Sequence, residues 1–253
     1  MIDTHCHLNL EPLKQNYLQL ISAAQIEGVN QFIVPGISAA SSLLAISLSK
    51  TSTKVFAAVG IHPLEVAGEQ SAVKEIEALL KLHPEIAAVG EVGLDFKNLP
   101  HEAHTQIELF RQMLELASAA VKPVIVHTRA AHLDTMSMLA KYPKLSVLIH
   151  SFSDSRQEAD DFLQAGYLLS VNGIITFKKN DHLRETVKDI PLDRIVLETD
   201  APYLAPEGFR GKDNYPVNII EVAKCLADIK GMTVDAIDQI TTDNATRFFA
   251  LPV

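Results

Sequence analysis

Short apolar segments alternate with longer segments of helical periodicity along almost the whole chain. Eight segments rich in Val, Ile, Leu and Ala have the length and composition of buried parallel strands. They lie at residues 1–4, 31–35, 54–60, 86–91, 123–127, 146–150, 167–171 and 194–199. The repetition predicts a parallel sheet in which helices connect successive strands.

The segments between these strands have the pattern of helices with one buried face. The clearest is 102–120, where apolar side chains recur at steps of three and four residues, at Ile107, Phe110, Leu114 and Ala117. The same kind of pattern predicts helices at 13–28, 39–50, 70–82, 130–141, 155–165 and 180–189.

Eight such units in 253 residues predict an α/β fold, a single-domain (β/α)8 barrel of the TIM type. An open doubly wound sheet is the alternative, but the glycine-rich dinucleotide fingerprint that would favour it does not follow the first strand. Because no long linker or strong internal repeat divides the chain, we expect one domain over residues 1–253. The functional site of such a barrel lies at the carboxyl ends of its strands. The least regular segment, 201–216, is expected to lie over that face.

Composition and charge narrow the possible classes. The sequence contains no stretch of about 18 consecutive apolar residues of the kind that spans a membrane. Its first residues lack the basic and apolar regions of a signal peptide. We therefore expect a cytoplasmic protein without membrane association. The two cysteines, Cys6 and Cys225, are too few for a disulfide framework. The net charge of -9 argues against a broad basic face that coats nucleic acid. It still allows an enzyme that acts on nucleic acid, since bound cations supply local positive charge.

Two histidines, His5 and His7, follow the first apolar segment with Cys6 between them. Residues two apart in an extended chain point to the same side, so the imidazoles share one face and Cys6 packs behind the other. Two imidazoles on one face make half of a metal site. Other segments end in further ionisable groups of ligand type, namely Glu91, His127, His150 and Asp200.

These six residues are the candidate metal ligands. Each one alone has an ordinary structural interpretation, such as a hydrogen-bonded residue at a strand end, a turn cap or a buried ion pair. Burying all six together without cations would be costly. Six donors exceed one tetrahedral site, so we expect two divalent ions, bridged by Glu91, that activate a water for hydrolysis. The donors suit zinc, manganese, iron or nickel better than magnesium alone.

Six motifs add a resemblance to a known family. They are DTHCHL at 3–8, GIHP at 60–63, GEVGLDF at 90–96, PVIVHTR at 123–129, ETDAPYLAP at 198–206 and RGKDNYP at 210–216. In this order they resemble the TatD family of metal-dependent deoxyribonucleases, among the amidohydrolase-like barrel hydrolases. The resemblance implies a TIM-type barrel, metal ligation by the same six residues and removal of nucleotides from DNA, often single-stranded, from the 3′ end. In HSFSDS at 150–155, Asp154 replaces the family's usual glycine, so the loop beside His150 is altered.

The catalytic candidates are Asp200, Glu91 and His62. Asp200 is expected to accept the proton of the attacking water, a role that the resemblance supports. His62 is expected to contact the scissile phosphate or the leaving oxygen, and its alternative is a packed loop histidine.

The substrate-binding candidates are Arg129, Arg210 and Lys212. Their cationic groups suit phosphates, and the alternatives are an ion pair for Arg129 and loop bracing or a solvated surface for the other two. Phe152 and Phe177 follow strands and can stack on unpaired bases or pack within their loops.

These features favour a divalent-metal-dependent deoxyribonuclease, 3′–5′ exonuclease-like, whose partner is DNA that is single-stranded or has frayed ends. One alternative is a metal-dependent hydrolase of small esters, amides or lactones, since this kind of centre also activates water toward carbonyl carbon. Another is a non-catalytic metal-binding protein, which the six donors disfavour because structural sites need about four. The sequence does not predict the oligomeric state.

Overall fold

The computed structural model describes residues 1–66 and 69–252, and for residues 69–71 it describes the backbone only. Its strands are β1 Ile2–Asp3, β2 Gln31–Pro35, β3 Val55–Val59, β4 Ala88–Asp95, β5 Val124–Arg129, β6 Val147–Ile149, β7 Leu168–Val171 and β8 Ile195–Leu197. Its helices are α1 Tyr17–Ile26, α2 Ala39–Thr51, α3 Glu69–Leu82, α4 Ala103–Ala120, α5 His132–Leu139, α6 Arg156–Gln164, α7 Asp181–Asp189, α8 Ile219–Lys230 and α9 Val234–Phe249.

The strands belong to one sheet in which they are hydrogen-bonded in chain order, from β1 to β8. Parallel strands alternating with helices in this order form a (β/α)8 barrel, so the predicted fold class is confirmed. The chain divides into two compact units, Met1–Val34 with Ser151–Val253, and Pro35–His150. The extent of one domain over 1–253 stays a prediction. Among the described residues, no helix is long and apolar enough to span a membrane.

In the first unit, residues 3–7 lie alongside residues 197–201, and we call this pairing the β1–β8 seam. Thr4 N–H donates to the Leu197 carbonyl at 3.0 Å, and His7 N–H donates to the Ala201 carbonyl at 2.7 Å. Between these contacts, Cys6 pairs with Ala201 as an isolated parallel bridge. The Cys6 side chain is buried, in agreement with its predicted packing role. The seam therefore extends the short strand β1 up to the two histidines.

In the second unit, β4 is longer than predicted. The apolar pattern placed the end of this strand at Glu91, but β4 continues to Asp95. Its register against β5 shifts between Val89 and Val92, which marks a bulge. The prediction that Glu91 follows the strand was therefore wrong. Glu91 interrupts the apolar residues at the bulge, but β4 stays paired with β5 beyond it.

Several element boundaries also differ from the predictions. The predicted helix 13–28 is a 3-10 turn at Leu13–Gln15 followed by α1. The helices α8 and α9, after the last strand, were not predicted, although both bury an apolar face. Segment 201–216 is irregular, as expected, up to a 3-10 turn at Pro216–Asn218. The apolar residues of α8 and α9 recur at steps of three and four, as in α4, so the sequence contained the signal for both helices.

Gly93 allows β4 to approach β5 closely, so Gly93→Ala is expected to destabilise the protein strongly. The residue has φ +145°, and a Cβ there would lie 1.9 Å from the His127 carbonyl oxygen. We expect the free energy of unfolding, measured by urea denaturation, to fall by about 3 kcal/mol or more. Gly208→Ala is the control, because Gly208 also has positive φ but nothing within 4 Å of the added Cβ. Its expected loss is about 1 kcal/mol, and equal losses in the two variants would contradict the steric explanation.

Candidate metal centre

The β1–β8 seam brings three predicted ligands of the first unit together. The Nε2 atoms of His5 and His7 are 3.2 Å apart. The Oδ1 atom of Asp200 lies 3.5 Å from His7 Nε2 and 3.8 Å from His5 Nε2. All three residues are buried. This confirms that the imidazoles share one face of the extended segment, and it places the Asp200 carboxylate beside both of them.

Backbone contacts hold Asp200 in this position. Its N–H donates to the His5 carbonyl at 2.9 Å, and its φ of 57° is one that Asp tolerates better than most residues. The amide of buried Asn214 donates to the carbonyls of Thr199 and Tyr203, at 2.9 and 2.8 Å. Asn214 belongs to the RGKDNYP motif, so one function of that motif is to brace the loop that carries Asp200.

Asp3 is a buried carboxylate of the seam that the sequence reasoning missed. It accepts hydrogen bonds from Thr199, from the hydroxyl at 2.6 Å and from the backbone N–H at 2.9 Å. Burial raises the pKa of Asp3 to about 7, although the bonds from Thr199 act in the opposite direction. The even spacing of Asp3, His5 and His7 was the available signal, since it places all three on one side of an extended chain.

Glu198 is a second buried carboxylate missed in the first unit. It accepts hydrogen bonds from Ser170 Oγ at 2.6 Å, from Ser151 N–H at 3.0 Å and from Asn172 Nδ2 at 3.0 Å. Because Glu198 precedes Asp200 by two residues, the same even spacing pointed to it. These three hydrogen bonds offset the cost of burying the Glu198 side chain.

In the second unit, three imidazoles surround one carboxylate oxygen. The Oε1 atom of Glu91 lies 3.1 Å from His127 Nδ1, 3.4 Å from His62 Nε2 and 3.6 Å from His150 Nε2. Glu91 and His150 are buried, and His62 and His127 are partly exposed. The structure thus groups two further predicted metal ligands, His127 and His150, and the predicted catalytic histidine, His62, around Glu91.

His62 differs from its neighbours in the state of its ring nitrogens. Its Nδ1 accepts a hydrogen bond from the Leu64 backbone N–H at 3.1 Å, so the neutral imidazole carries its proton on Nε2. A protonated ring nitrogen donates a hydrogen bond and does not bind a metal. Distance alone would admit His62 as a ligand beside Glu91 and His127, but this tautomer favours the predicted role of hydrogen-bond donor.

Asp95 orients His127 and is the third residue that sequence reasoning missed. Its Oδ2 lies 3.3 Å from His127 Nε2, which leaves His127 Nδ1 facing Glu91. Asn98 donates to Asp95 from its backbone, at 2.8 Å, and from its side chain, at 2.7 Å. A carboxylate on the second nitrogen of a ligand histidine is a common feature of metal sites. Asp95 lies four residues after Glu91, a spacing that places both on one face of an extended strand.

These contacts shift the pKa values of both Asp95 and His127. Burial raises the pKa of Asp95, but hydrogen bonds from His127 and Asn98 outweigh burial and hold that pKa well below its usual range. Burial likewise lowers the pKa of His127, and the hydrogen bonds to Asp95 and Glu91 outweigh it, so the pKa of His127 is raised. Without a cation, the imidazole therefore tends to take up a proton between two carboxylates.

The predicted substrate-binding residues occupy exposed positions. Arg129 is exposed at the end of β5 and makes no ion pair with any described residue. Arg210 and Lys212 are also exposed, and the Arg210 guanidinium lies 4.2 Å from the centroid of the Phe177 ring. Phe152 is buried, in agreement with its loop-packing alternative.

The donor chemistry of both clusters fits divalent metal ions. The ligand atoms of His5, His7 and Asp200 lie within 4.8 Å of one another, as do those of His62, Glu91 and His127. Buried imidazole nitrogens and carboxylate oxygens at this spacing suit borderline cations such as zinc, manganese, iron or nickel. A (β/α)8 barrel with such clusters beside its strand ends is typical of metal-dependent hydrolases.

Comparisons with known proteins agree with this class. The family model described as TatD related DNase matches residues 2–250. The uncharacterized metal-dependent hydrolase YabD of Bacillus subtilis (strain 168) is 34% identical, over 99% of this chain and 99% of its own. YcfH of Escherichia coli (strain K12), also an uncharacterized metal-dependent hydrolase, is 34% identical, over 98% of this chain and 95% of its own. The crystal structure of YjjV, a TatD homologue from Escherichia coli K12, superposes with a TM-score of 0.94 at 31% identity, covering 100% of this chain and 98% of its own.

The chain belongs to the TatD family and is a metal-dependent hydrolase. The family resemblance that the motifs carried is thereby confirmed.

Asp95→Asn is expected to weaken metal binding because it removes the charged partner of His127. Loss of such an orienting carboxylate typically lowers metal affinity by roughly 10- to 100-fold. The measurement is competition with a chromogenic chelator for zinc or manganese. Asp228→Asn, the same change at an exposed position of α8, should leave affinity unchanged. Equal affinity of Asp95→Asn and the parent would mean that Asp95 does not act on the metal through His127.

Proposed function

We propose that this protein is a two-metal deoxyribonuclease that removes nucleotides from the 3′ ends of single-stranded or frayed DNA. Glu91 is the proposed bridge between two divalent ions. Its metal ligands are His5, His7, Glu91, His127, His150 and Asp200. The support comes from the fold class, because the strands of a (β/α)8 barrel all direct their carboxyl ends to one face. The observation that carries the proposal is the gathering of three imidazoles around the single oxygen Glu91 Oε1.

The proposed chemistry assigns distinct roles to the protein groups. When bound, divalent ions lower the pKa of a coordinated water and offset the negative charge that develops on the phosphoryl oxygens. The Asp200 carboxylate then accepts the proton of the attacking water, from its position beside His5 and His7. The Nε2–H of His62 donates a hydrogen bond to a phosphate oxygen or to the leaving oxygen. Glu91 holds the imidazoles in a fixed arrangement.

DNA is the proposed substrate for two reasons. The matching family model is described as TatD related DNase, and the exposed cations Arg129, Arg210 and Lys212 suit backbone phosphates. The net charge of -9 opposes a long duplex lying across the surface. A few cations beside the site therefore favour a short stretch of unpaired strand.

Asp200→Asn is expected to preserve the fold and to lower turnover by about three orders of magnitude, because the amide cannot accept the proton. Turnover is measured at saturating metal, and folding is checked by urea denaturation. Asp193→Asn is the matched control, since Asp193 is exposed and lies just before β8, at the opposite end of the strand from Asp200. It should hydrolyse DNA like the parent. Near-normal turnover of Asp200→Asn would remove Asp200 as the base.

The substrate class is tested by product analysis with metal-loaded protein. The substrates are end-labelled single-stranded DNA, the same strand as RNA, and a panel of small esters, amides and lactones. We expect DNA to shorten from its 3′ end with a shallow salt dependence, because only a few cations reach phosphates. Arg210→Ala combined with Lys212→Ala should reduce the salt slope, whereas Lys141→Ala with Lys144→Ala, exposed before β6, should not. Efficient turnover of esters or amides, with no DNA cleavage in the presence of any metal, would contradict the nuclease proposal and support a hydrolase of small esters or amides.

A further inference from the structure

The exposed Phe and Tyr side chains of the described residues all belong to segment 201–216. They are Tyr203, Phe209 and Tyr215, which are 53%, 41% and 39% exposed. The other Phe and Tyr rings of the described residues are buried or half-buried. Large apolar rings that face water in one loop, beside a candidate active site, indicate a binding surface more than a packing surface.

Tyr203 is in direct contact with the metal-ligand cluster. Its ring centroid lies 5.9 Å from that of His7, in an edge-on arrangement with an interplanar angle of 74°. A nucleotide whose phosphate reaches His5, His7 and Asp200 has its base within about one nucleotide length of this ring. The tyrosine ring is therefore well placed to meet the base next to the reacting phosphate.

Phe177 and Arg210 form a second aromatic and cationic element on the same unit. The Arg210 guanidinium stacks 4.2 Å from the Phe177 ring centroid and makes no ion pair with any described residue. Lys178, beside Phe177, lies 3.9 Å from Glu207 and is largely exposed. Guanidinium planes, like aromatic rings, stack on bases, and their charge also attracts phosphates.

The loops that carry these rings are held together before any ligand binds. The N–H of Glu207 donates to Thr176 Oγ1 at 2.7 Å, which joins segment 201–216 to the loop after β7. Arg184 donates to the carbonyls of Ile175 and Phe177, at 2.8 Å each. Asn214 holds Tyr203 through its carbonyl. A braced surface loses little conformational entropy on binding, as a stacking platform requires.

We propose that Tyr203 and the Phe177–Arg210 pair form a stacking surface for unpaired nucleobases, in which Tyr203 takes the base beside the reacting phosphate. The inference rests on the proposed nuclease function and adds how the strand is recognised. Bases in a duplex stack on their neighbours, so their faces are not available to a protein ring, whereas a frayed end presents them freely. The surface therefore selects unpaired ends without reading their sequence.

The test compares two single-stranded oligodeoxythymidylates, one intact and one with two abasic residues at each end. The abasic strand keeps its phosphates and loses only the rings that would stack. For the parent protein we expect kcat/KM to be about tenfold or more higher on the intact strand, the usual size of a stacking contribution. Tyr203→Ala and Tyr203→Leu should lose most of this preference, and Tyr203→Phe should retain it. The ratio of the two substrates cancels any general effect of the substitution on His7.

Tyr142→Ala is the matched control, a half-exposed tyrosine that lies before β6, and it should keep the parent's preference. Equal cleavage of the two strands by the parent, or full preference in Tyr203→Leu, would overturn the stacking inference and leave the nuclease proposal intact. Cleavage of neither strand by the parent in any metal would overturn both. Loss of preference in Tyr203→Phe as well would show that the hydroxyl, and not the ring face, recognises the strand, which also contradicts stacking.

Discussion

The hydrogen-bonded seam between residues 3–7 and 197–201 is the constraint on which the candidate site of the first unit depends. Strand β1 has only two residues in its regular ladder, so the segment that carries His5 and His7 is held mainly by its partners. Contacts from Thr4 to Leu197, from His7 to Ala201 and from Asp200 to His5 fix the two segments side by side. Because each contact uses backbone atoms, the imidazoles of His5 and His7 and the carboxylate of Asp200 can face one another.

The second constraint is electrostatic. Each unit buries carboxylates and imidazoles together, and such groups are stable in a protein interior only when hydrogen bonds, opposite charge or cations compensate for lost hydration. Asp3 and Glu198 receive this compensation from hydroxyl and amide donors. Asp95 receives it from Asn98 and His127. Three imidazole nitrogens lie within 3.6 Å of Glu91 Oε1. That arrangement suits divalent ions, which would balance the charge of the carboxylate.

The loops beyond β7 and β8 combine rigidity with exposure. Asn214, Arg184 and Thr176 hold their backbones through buried or partly buried hydrogen bonds, while Tyr203, Phe209 and Arg210 remain open to solvent. This arrangement is common at the active face of (β/α)8 barrels, where a rigid scaffold positions the loops and the loops determine specificity. It explains why the long irregular segment 201–216 is ordered without regular secondary structure. The candidate metal ligands lie in the strands or just beyond their carboxyl ends, whereas Phe209 and Arg210 lie farther along the loop.

The sequence by itself determined the alternation of strands and helices, the fold class, and the side that His5 and His7 share, because these follow from apolar periodicity and from the two-residue repeat of extended chain. It also carried the family motifs. Only the tertiary structure decided that Glu91 lies at a bulge inside β4, that Asp95 orients His127, and that His62 carries its proton on Nε2. These features depend on contacts between segments distant in the chain, or on the course of a loop, such as that between His62 and Leu64. Local periodicity cannot encode such contacts, since a polar residue in an apolar run looks the same whether it ends a strand, lies in a bulge or meets a partner from another element.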